Sequence, residues 1–361
     1  ILEKEITRFD PQIIGVTAVT MSMNDALTVV QDAKSIAPEV LTIMGGPHVT
    51  FCAHETMKAH ESIDFIALGE GEETVVALCT ALQNKKHWDT VQGLVYREGA
   101  HIATTGPRPF ITDIDALPAP ARHYIPLGRY RALGMPLSIT TSRGCPFQCI
   151  FCVGRKMVGP KVRYRSPKHI ADELARISRF DFHQINIADD LFTASRRHCL
   201  AVCDELIQRD LSVHWTSFAR VDTVSLDMLQ RMKTAGCSAV SFGVESGSPE
   251  ILKRIKKGIT LEQVIEAVKM CNRAGITPQA SFILGLPGET PETLQATVNF
   301  GKRLKDMGVL HGYHLLAPFP GTAVRENIAA YDLQITSHDW KDYHANRAVL
   351  RTDAVSEAMM N

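Results

Sequence analysis

The chain has 361 residues, 45% of them apolar, and its 39 Lys and Arg balance 39 Asp and Glu. Zero net charge leaves no electrostatic footprint for a nucleic-acid polyanion or an anionic membrane, and the apolar runs, such as 13–19 and 281–286, fall far short of the roughly 20 residues of a membrane span. The length suits two domains, one of them a barrel of about 200 residues or more, and the charge balance suits a small-molecule or natural-product substrate.

The chain opens at Ile1 without an initiator Met, a signal segment or a cleavage site, so a fragment or trimmed chain is expected. Residues 13–20 read as a buried strand. A helix follows with Ala26, Val29, Val30, Ala33 and Ala37 on one face, then a second strand over 40–46, completing a βαβ unit. Another helix leads to a strand over 65–68. Short apolar strands alternating with helices predict an open parallel sheet over 1–84, whose ligands sit beyond the strands' C-terminal ends. Residues 85–136 change character. Segments 93–98 and 101–105 pair as a hairpin, and Pro107, Pro109, Pro118, Pro120 and Pro126 break helices, so a linker is expected there. From 137 to 330 strand and helix signals alternate six times, with strands near 137–141, 184–188, 213–218, 239–244, 279–284 and 312–317. Helices begin near Pro167, Ser195, Ser225, Thr260 and Pro291, and Gly236, Gly275 and Gly308 end several of them. Six βα units predict a partial barrel, with function at the strands' C-terminal ends. Residues 331–361 start a C-terminal extension.

Nine cysteines show no regular disulfide framework, and three crowd into eight residues, which favours a reducing compartment, the cytoplasm by default, and a metal site. These three, Cys145, Cys149 and Cys152, form a C-x3-C-x2-C segment, TSRGCPFQCIFC, on the loop leaving the first barrel strand. Iron–sulfur clusters are normally held by four cysteines, so three leave one iron open to a non-protein ligand. A zinc site completed by a distant Cys or His is the alternative.

This motif, with the six-unit barrel after it, resembles the radical S-adenosylmethionine superfamily from about Leu137 to Thr322. The resemblance implies a [4Fe–4S] cluster on Cys145, Cys149 and Cys152 whose open iron is chelated by the methionine amino and carboxylate groups. One electron, from a donor such as flavodoxin or ferredoxin, then yields a 5′-deoxyadenosyl radical that abstracts a substrate hydrogen. It also implies S-adenosylmethionine contacts by position. Phe151 matches an aromatic near the adenine. Asp189 and Asp190 end the second strand, where a polar motif meets the methionine amino group, and adjacent carboxylates diverge, so one of them serves. Arg220 matches an arginine that meets the methionine carboxylate. Gly243, Glu245 and Ser246 match the ribose-contacting segment, and Gly285, Leu286 and Pro287 the adenine-side turn.

The N-terminal part is similar to the cobalamin-binding domain upstream of many radical enzymes. The segments carrying the likeness hold Gly45, Gly46, Pro47 and His48 after the second strand and Gly69, Glu70 and Gly71 after the third. Thr17, Thr20 and Ser22 would offer hydroxyls to the nucleotide tail. The family's Asp-x-His-x-x-Gly cobalt-ligand motif is absent from these residues, so a lower axial ligand is not assumed, and His48 reads as a loop residue near the nucleotide. The expected fold is α/β, a partial Rossmann-like cobalamin-binding domain followed by a partial (β/α)6 barrel of TIM type. The expected activity is cobalamin-dependent methylation of an unactivated carbon.

Rival readings are a cobalamin-dependent radical cyclase or rearrangement enzyme without methyl transfer, a non-catalytic corrinoid or cluster sensor, and a radical enzyme whose cobalamin domain has lost its ligand. Cys199 and Cys203, at i and i+4 on a predicted helix, read as buried thiols. Lys253, Arg254, Lys256 and Lys257 read as a solvated surface or a landing place for an anionic group, without interleaved aromatics to stack bases.

Overall fold

The computed structural model describes residues 1–182 and 184–360. The first sheet runs β1 (Ile13–Thr17), β2 (Leu41–Gly45), β3 (Phe65–Ala67), β4 (Leu94–Glu98) and β5 (His101–Thr104), side by side in that order. The first three strands are parallel, because the helices Met23–Ile36 and Pro47–Ala59 carry the chain back between them. Side chains alternate across each strand. Met44 and Ile66 therefore face a core with Val30, Val49 and Met57, while Ile43 and Phe65 face a second core with Leu78 on the helix Glu72–Gln83.

Two local expectations change. β1 stops at Thr17 rather than running to 20, and a 3-10 turn over Thr20–Ser22 follows. β2 ends at Gly45, so no strand remains to pair with the continuation, and Val19 and Met21 stand exposed. The hairpin expected in the linker joins the first sheet, β4 pairing antiparallel with β3. A helix not foreseen, Leu2–Phe9, buries Ile6 of its apolar positions.

The second sheet is wholly parallel, in the order β6 (Leu137–Ile139), β9 (Ile185–Ile187), β10 (Trp215–Ala219), β11 (Cys237–Glu245), β12 (Thr277–Leu284) and β13 (Leu310–Leu315). Strands β7 (Ser142–Arg143) and β8 (Arg163–Tyr164) form a small hairpin around the cysteine segment. The connecting helices start where their caps are. Ser166, Ser195, Thr260 and Thr290 each accept from a backbone N–H in the first turn, which satisfies a donor the helix itself cannot. Between helices and sheet lies one continuous core containing Trp215, Phe242 and Phe282. Cys199 and Cys203 are buried in it, as read, together with Cys237 and Cys271.

The C-terminal segment adds β14 (Leu333–Ile335) and β15 (Leu350–Thr352), an antiparallel pair, and the stretch between them reaches both domains, the Ala345 carbonyl accepting from Leu315 N–H at the end of β13. Trp340 meets His48 edge-on at 4.7 Å, and Asp339 accepts from Asn24 at 2.9 Å. Among the described residues no helix is long and apolar enough to cross a membrane.

Candidate active site and its cofactor pockets

The cysteine loop owes its shape to Gly144. At φ +119°, a Cβ there would lie 2.3 Å from the Lys161 carbonyl oxygen, so only glycine lets the two backbones pass. Beyond it, Cys145 N–H donates to the Gly159 carbonyl, Cys152 N–H to the Cys149 carbonyl, and Ile150 N–H to the Ile255 carbonyl, which ties the loop to the segment after β11. With Ile150 buried as an anchor, Cys145, Cys149 and Cys152 line one recess of about 370 Å³. Cys152 is exposed at its edge, and the other two are half-buried.

Burial raises all three thiols above their ordinary pKa, Cys152 to about 11, where the charges of Cys149, Cys145 and Asp190 add to the rise. Backbone N–H groups of Phe147 and Gly154 oppose that rise at Cys145 and Cys152, and the charges of Lys257 and Arg220 oppose it at Cys149. A bound metal completes the deprotonation, and such N–H to sulfur bonds then set a cluster's potential. Among the described residues no three or more His, Cys, Asp or Glu are grouped as ligands of a single ion. One ion draws its ligands to about 2.0–2.3 Å, whereas a cubane takes one thiolate per iron and keeps them further apart.

Around the loop stand the ends of the barrel strands. After β9, the two aspartates separate cleanly. Asp189 is buried and fully engaged, accepting from Thr141 N–H and Oγ1 at 2.5 Å and from Ser142 Oγ at 2.6 Å. Asp190 is exposed to the cavity, takes a backbone bond from Gly144, and is raised above the usual carboxylate range by the protein crowding it. After β10, Arg220 is buried and grips Asp222 with Nε at 3.0 Å and Nη2 at 2.8 Å, while Nη2 also donates to the Lys257 carbonyl. Its guanidinium lies 3.6 Å from the Phe147 ring centre, and its Nη1 is buried without a partner. An orphaned donor on a fixed cation fits a ligand carboxylate.

Glu245 ends β11 at φ +70°, a left-handed conformation that costs a non-glycine residue about 1–3 kcal/mol. The strand pairing slips between Gly243 and Glu245, and a Cβ on Gly243 would fall 2.3 Å from the Glu245 carboxylate, which explains the glycine. Lys257 Nζ holds that carboxylate at 2.7 Å, both groups buried, and lies 6.0 Å from the Phe151 ring. Phe151 and Glu245 then face a cavity of about 190 Å³ with Ser281, Ile283, His314 and Phe319. Ser246 is fully buried and occupied, bonding Thr297 and the Ser248 N–H. The N–H groups of Gly285 and Leu286 are likewise occupied, both donating to Glu289. Burial pushes the Glu289 carboxyl up to about 7 despite those bonds, and its other oxygen has no partner.

A larger cavity, about 690 Å³, lies between the two sheets. Its first-domain wall is the strand ends Thr17, Gly45, Gly46, Gly69, Glu70 and Gly71, and its barrel wall includes Thr140, Met157, Val158 and Asp190. At Gly45, Gly69 and Gly71 a Cβ would meet no atom within 4 Å, so these glycines bare backbone to open space. Gly46 is different. At φ +98° its Cβ would strike the Ala18 carbonyl oxygen at 2.6 Å.

Four residues expected at the nucleotide lie off this cavity. Thr20 is buried against His48 Nδ1 at 3.3 Å, and Ser22 Oγ donates to the Val19 carbonyl. Pro47 and His48 open the helix Pro47–Ala59, and His48 is no loop residue but a buried ring under Trp340. Burial, then the Arg325 charge, lowers its pKa to about 4. Glu70 lines the cavity yet is committed to the domain junction, accepting from Arg143 at 3.0 Å, Arg163 at 2.8 Å and the Ile111 N–H at 2.8 Å. Burial alone would raise its pKa, but these donors bring it below the usual range.

Known proteins agree with this layout. Residues 139–301 match the model of the radical SAM superfamily, and residues 2–79 match that of the B12 binding domain. A protein of Pyrococcus horikoshii described as an uncharacterized methyltransferase is 38% identical over 344 residues, which cover 95% of this chain and 74% of that one. The anaerobic magnesium-protoporphyrin IX monomethyl ester cyclase of Rubrivivax gelatinosus is 30% identical over 366 residues, covering 98% and 64%. Among solved structures, the radical S-adenosylmethionine methyltransferase TsrM of Kitasatospora setae, with cobalamin and a [4Fe–4S] cluster bound, superposes with TM-score 0.81 at 20% identity, over all of this chain and 75% of that one. The cobalamin-dependent radical enzyme OxsB gives TM-score 0.82 at 21% identity, over 97% and 57%. The chain therefore belongs to the radical S-adenosylmethionine superfamily, in the group with a B12 binding domain ahead of the radical domain, and its cofactors are a [4Fe–4S] cluster, S-adenosylmethionine and cobalamin.

Proposed function

We propose that this chain catalyses methylation of an unactivated carbon in a small-molecule substrate. One observation carries the reading. The cavity beyond the first sheet's strand ends is closed on its other side by the barrel mouth, with Asp190 and Ser142 in its wall. When bound, the cluster with S-adenosylmethionine supplies a hydrogen-abstracting radical, and cobalamin supplies a methyl group.

The chain's own residues do the positioning. Cys145, Cys149 and Cys152 hold the cluster. The free Nη1 of Arg220 takes the methionine carboxylate, and Asp190, which has the spare acceptor capacity that Asp189 lacks, takes the amino group. Glu245, steadied by Lys257, accepts from the ribose hydroxyls, and Phe151 packs on the adenine. Thr17, Gly45, Gly46, Gly69 and Gly71 form the corrinoid floor, while Met157 and Val158 keep water from the shared space. The substrate's surroundings include His314 and Phe319, whereas Tyr313, next to His314 on β13, faces the other way and packs on Phe282 and the helix Pro291–Asp306. Nine free cysteines, one of them exposed, suit a reducing cytoplasm.

The cyclase relative keeps one other reading in play, radical cyclisation without methyl transfer. Both are tested at once. The protein is reconstituted anaerobically with iron, sulfide and hydroxocobalamin, then given reductant and S-adenosylmethionine carrying a deuterated methyl group. Formation of 5′-deoxyadenosine by the unsubstituted protein but not by Cys149→Ala, with label appearing on the corrinoid, supports the methyltransferase. 5′-Deoxyadenosine without label on the corrinoid points to the cyclase reading, and none from either protein removes both.

A further inference from the structure

The basic run after β11 is not a uniform solvated face. Lys257 turns inward to Glu245, while Lys253, Arg254 and Lys256 stay exposed. Lys256 stands on the rim of the recess lined by the three cysteines, together with Arg155 and Lys156 from the turn after Cys152. These cations lack anionic partners. Arg155 and Lys156 bond the neutral carbonyls of Pro146 and Gly321, and Lys253 and Lys256 make no ion pair among the described residues. The acids nearby are fewer and partly spent. Asp332 pairs with Arg254 at 3.1 Å, Glu326 accepts from the Gly321 N–H, and Glu250 is exposed on the helix Pro249–Arg254. Cys152, the one exposed cysteine, lines the same recess as Arg155, Lys156 and Lys256, and Asp190 is the one acid whose charge also reaches it.

We infer that this rim is the docking face for an acidic, low-potential electron-carrier protein. The inference rests on the proposed function, in which the cluster must receive an electron. A positive ring around the exposed edge of a redox centre gathers a negatively charged carrier and orients it there, raising the encounter rate far more than the final affinity. The exchange is a one-electron transfer: the reduced carrier, a flavin hydroquinone or a reduced iron–sulfur centre, is oxidised by one electron and the cluster is reduced by one, with no bond made or broken. The same positive ring would not help a small cationic reductant.

The test compares two donors on the reconstituted holoenzyme. Stopped-flow absorbance follows cluster reduction by an acidic flavodoxin hydroquinone and, separately, by reduced methyl viologen, a small cation. For the unsubstituted protein the flavodoxin rate should fall steeply between about 0.01 and 0.3 M salt, as the Debye length shrinks. In the Lys253→Glu, Lys256→Glu double variant it should fall on the order of tenfold or more at low salt, with methyl viologen at least as fast as before. 5′-Deoxyadenosine yield driven by each donor gives a second readout. A flavodoxin rate indifferent to both salt and charge reversal overturns the docking face. So does equal slowing with both donors, which places the effect on the cluster itself. Absence of 5′-deoxyadenosine with either donor in the unsubstituted protein counts against the proposed function instead.

Discussion

The two candidate cofactor cavities are built on opposite plans. The wall beyond the first sheet is mostly bare backbone, with Gly45, Gly69 and Gly71 facing open space and its one buried carboxylate, Glu70, neutralised by Arg143 and Arg163. The barrel mouth is crowded with polar groups held short of saturation: three thiols, Asp190, the free Nη1 of Arg220 and the Glu245–Lys257 pair. A large preformed ligand needs shape, which glycine backbone gives. A small ligand that must be oriented for bond breaking needs fixed charges, which cost burial energy and are therefore tied down by neighbours.

That contrast is sharpened by substituting each side separately. The largest effect is expected at Arg220→Lys, which keeps the charge and loses the planar fork. S-adenosylmethionine affinity should drop on the order of 10- to 100-fold, the value of one charge-assisted hydrogen bond, while corrinoid retention after desalting stays unchanged. Calorimetric titration and corrinoid absorbance read the two sides. Next, Gly46→Ala places a Cβ against the Ala18 carbonyl in a left-handed backbone. It should empty the first cavity of corrinoid and lower Tm by a few degrees, yet leave the cluster's iron content intact. Loss of iron in that variant would mean the two sides are not independent.

The smallest effect is a pH signature. Glu289 is protonated in the fold up to about 7, above its unfolded value, so between about 4.5 and 7 the folded state binds the extra proton and stability falls as pH rises. Glu289→Gln should therefore gain on the unsubstituted protein, by Tm difference, as pH goes from 5 to 8. His48 works the other way. Its pKa is lowered to about 4, so the unfolded chain binds the proton and stability is lost as pH falls from about 6.5 toward 4. In His48→Gln the acid-side decline below pH 6.5 should be shallower than in the unsubstituted protein.

The barrel was readable because its strands are short apolar runs closed by polar or glycine ends, and its helices start at Ser166, Ser195, Thr260 and Thr290, residues chosen for capping. The cysteine spacing announced itself. What stayed hidden was set by neighbours distant in sequence. Nothing in Asp189-Asp190 tells that Thr141 and Ser142 absorb the first carboxylate. Lys257 sits in a run of cations that patterns as surface, and its inward turn depends on Glu245 being held left-handed across the strand end. His48 follows a glycine turn and reads as loop, because the tryptophan that covers it lies 292 positions later, at residue 340.

That last contact has a consequence for how the protein is made. All five strands of the first sheet have been synthesised by Thr104, but the face around His48 and Asn24 has no cover until Trp340 and Asp339 emerge. At about 5–20 residues per second, this leaves an interval on the order of tens of seconds. Within it the barrel-side wall of the cavity, between residues 140 and 190, is made early, whereas the face around His48 stays uncovered to the end. The order of synthesis thus presents the cobalamin side to the cell first, and covers this flank of it only when the radical domain has been made.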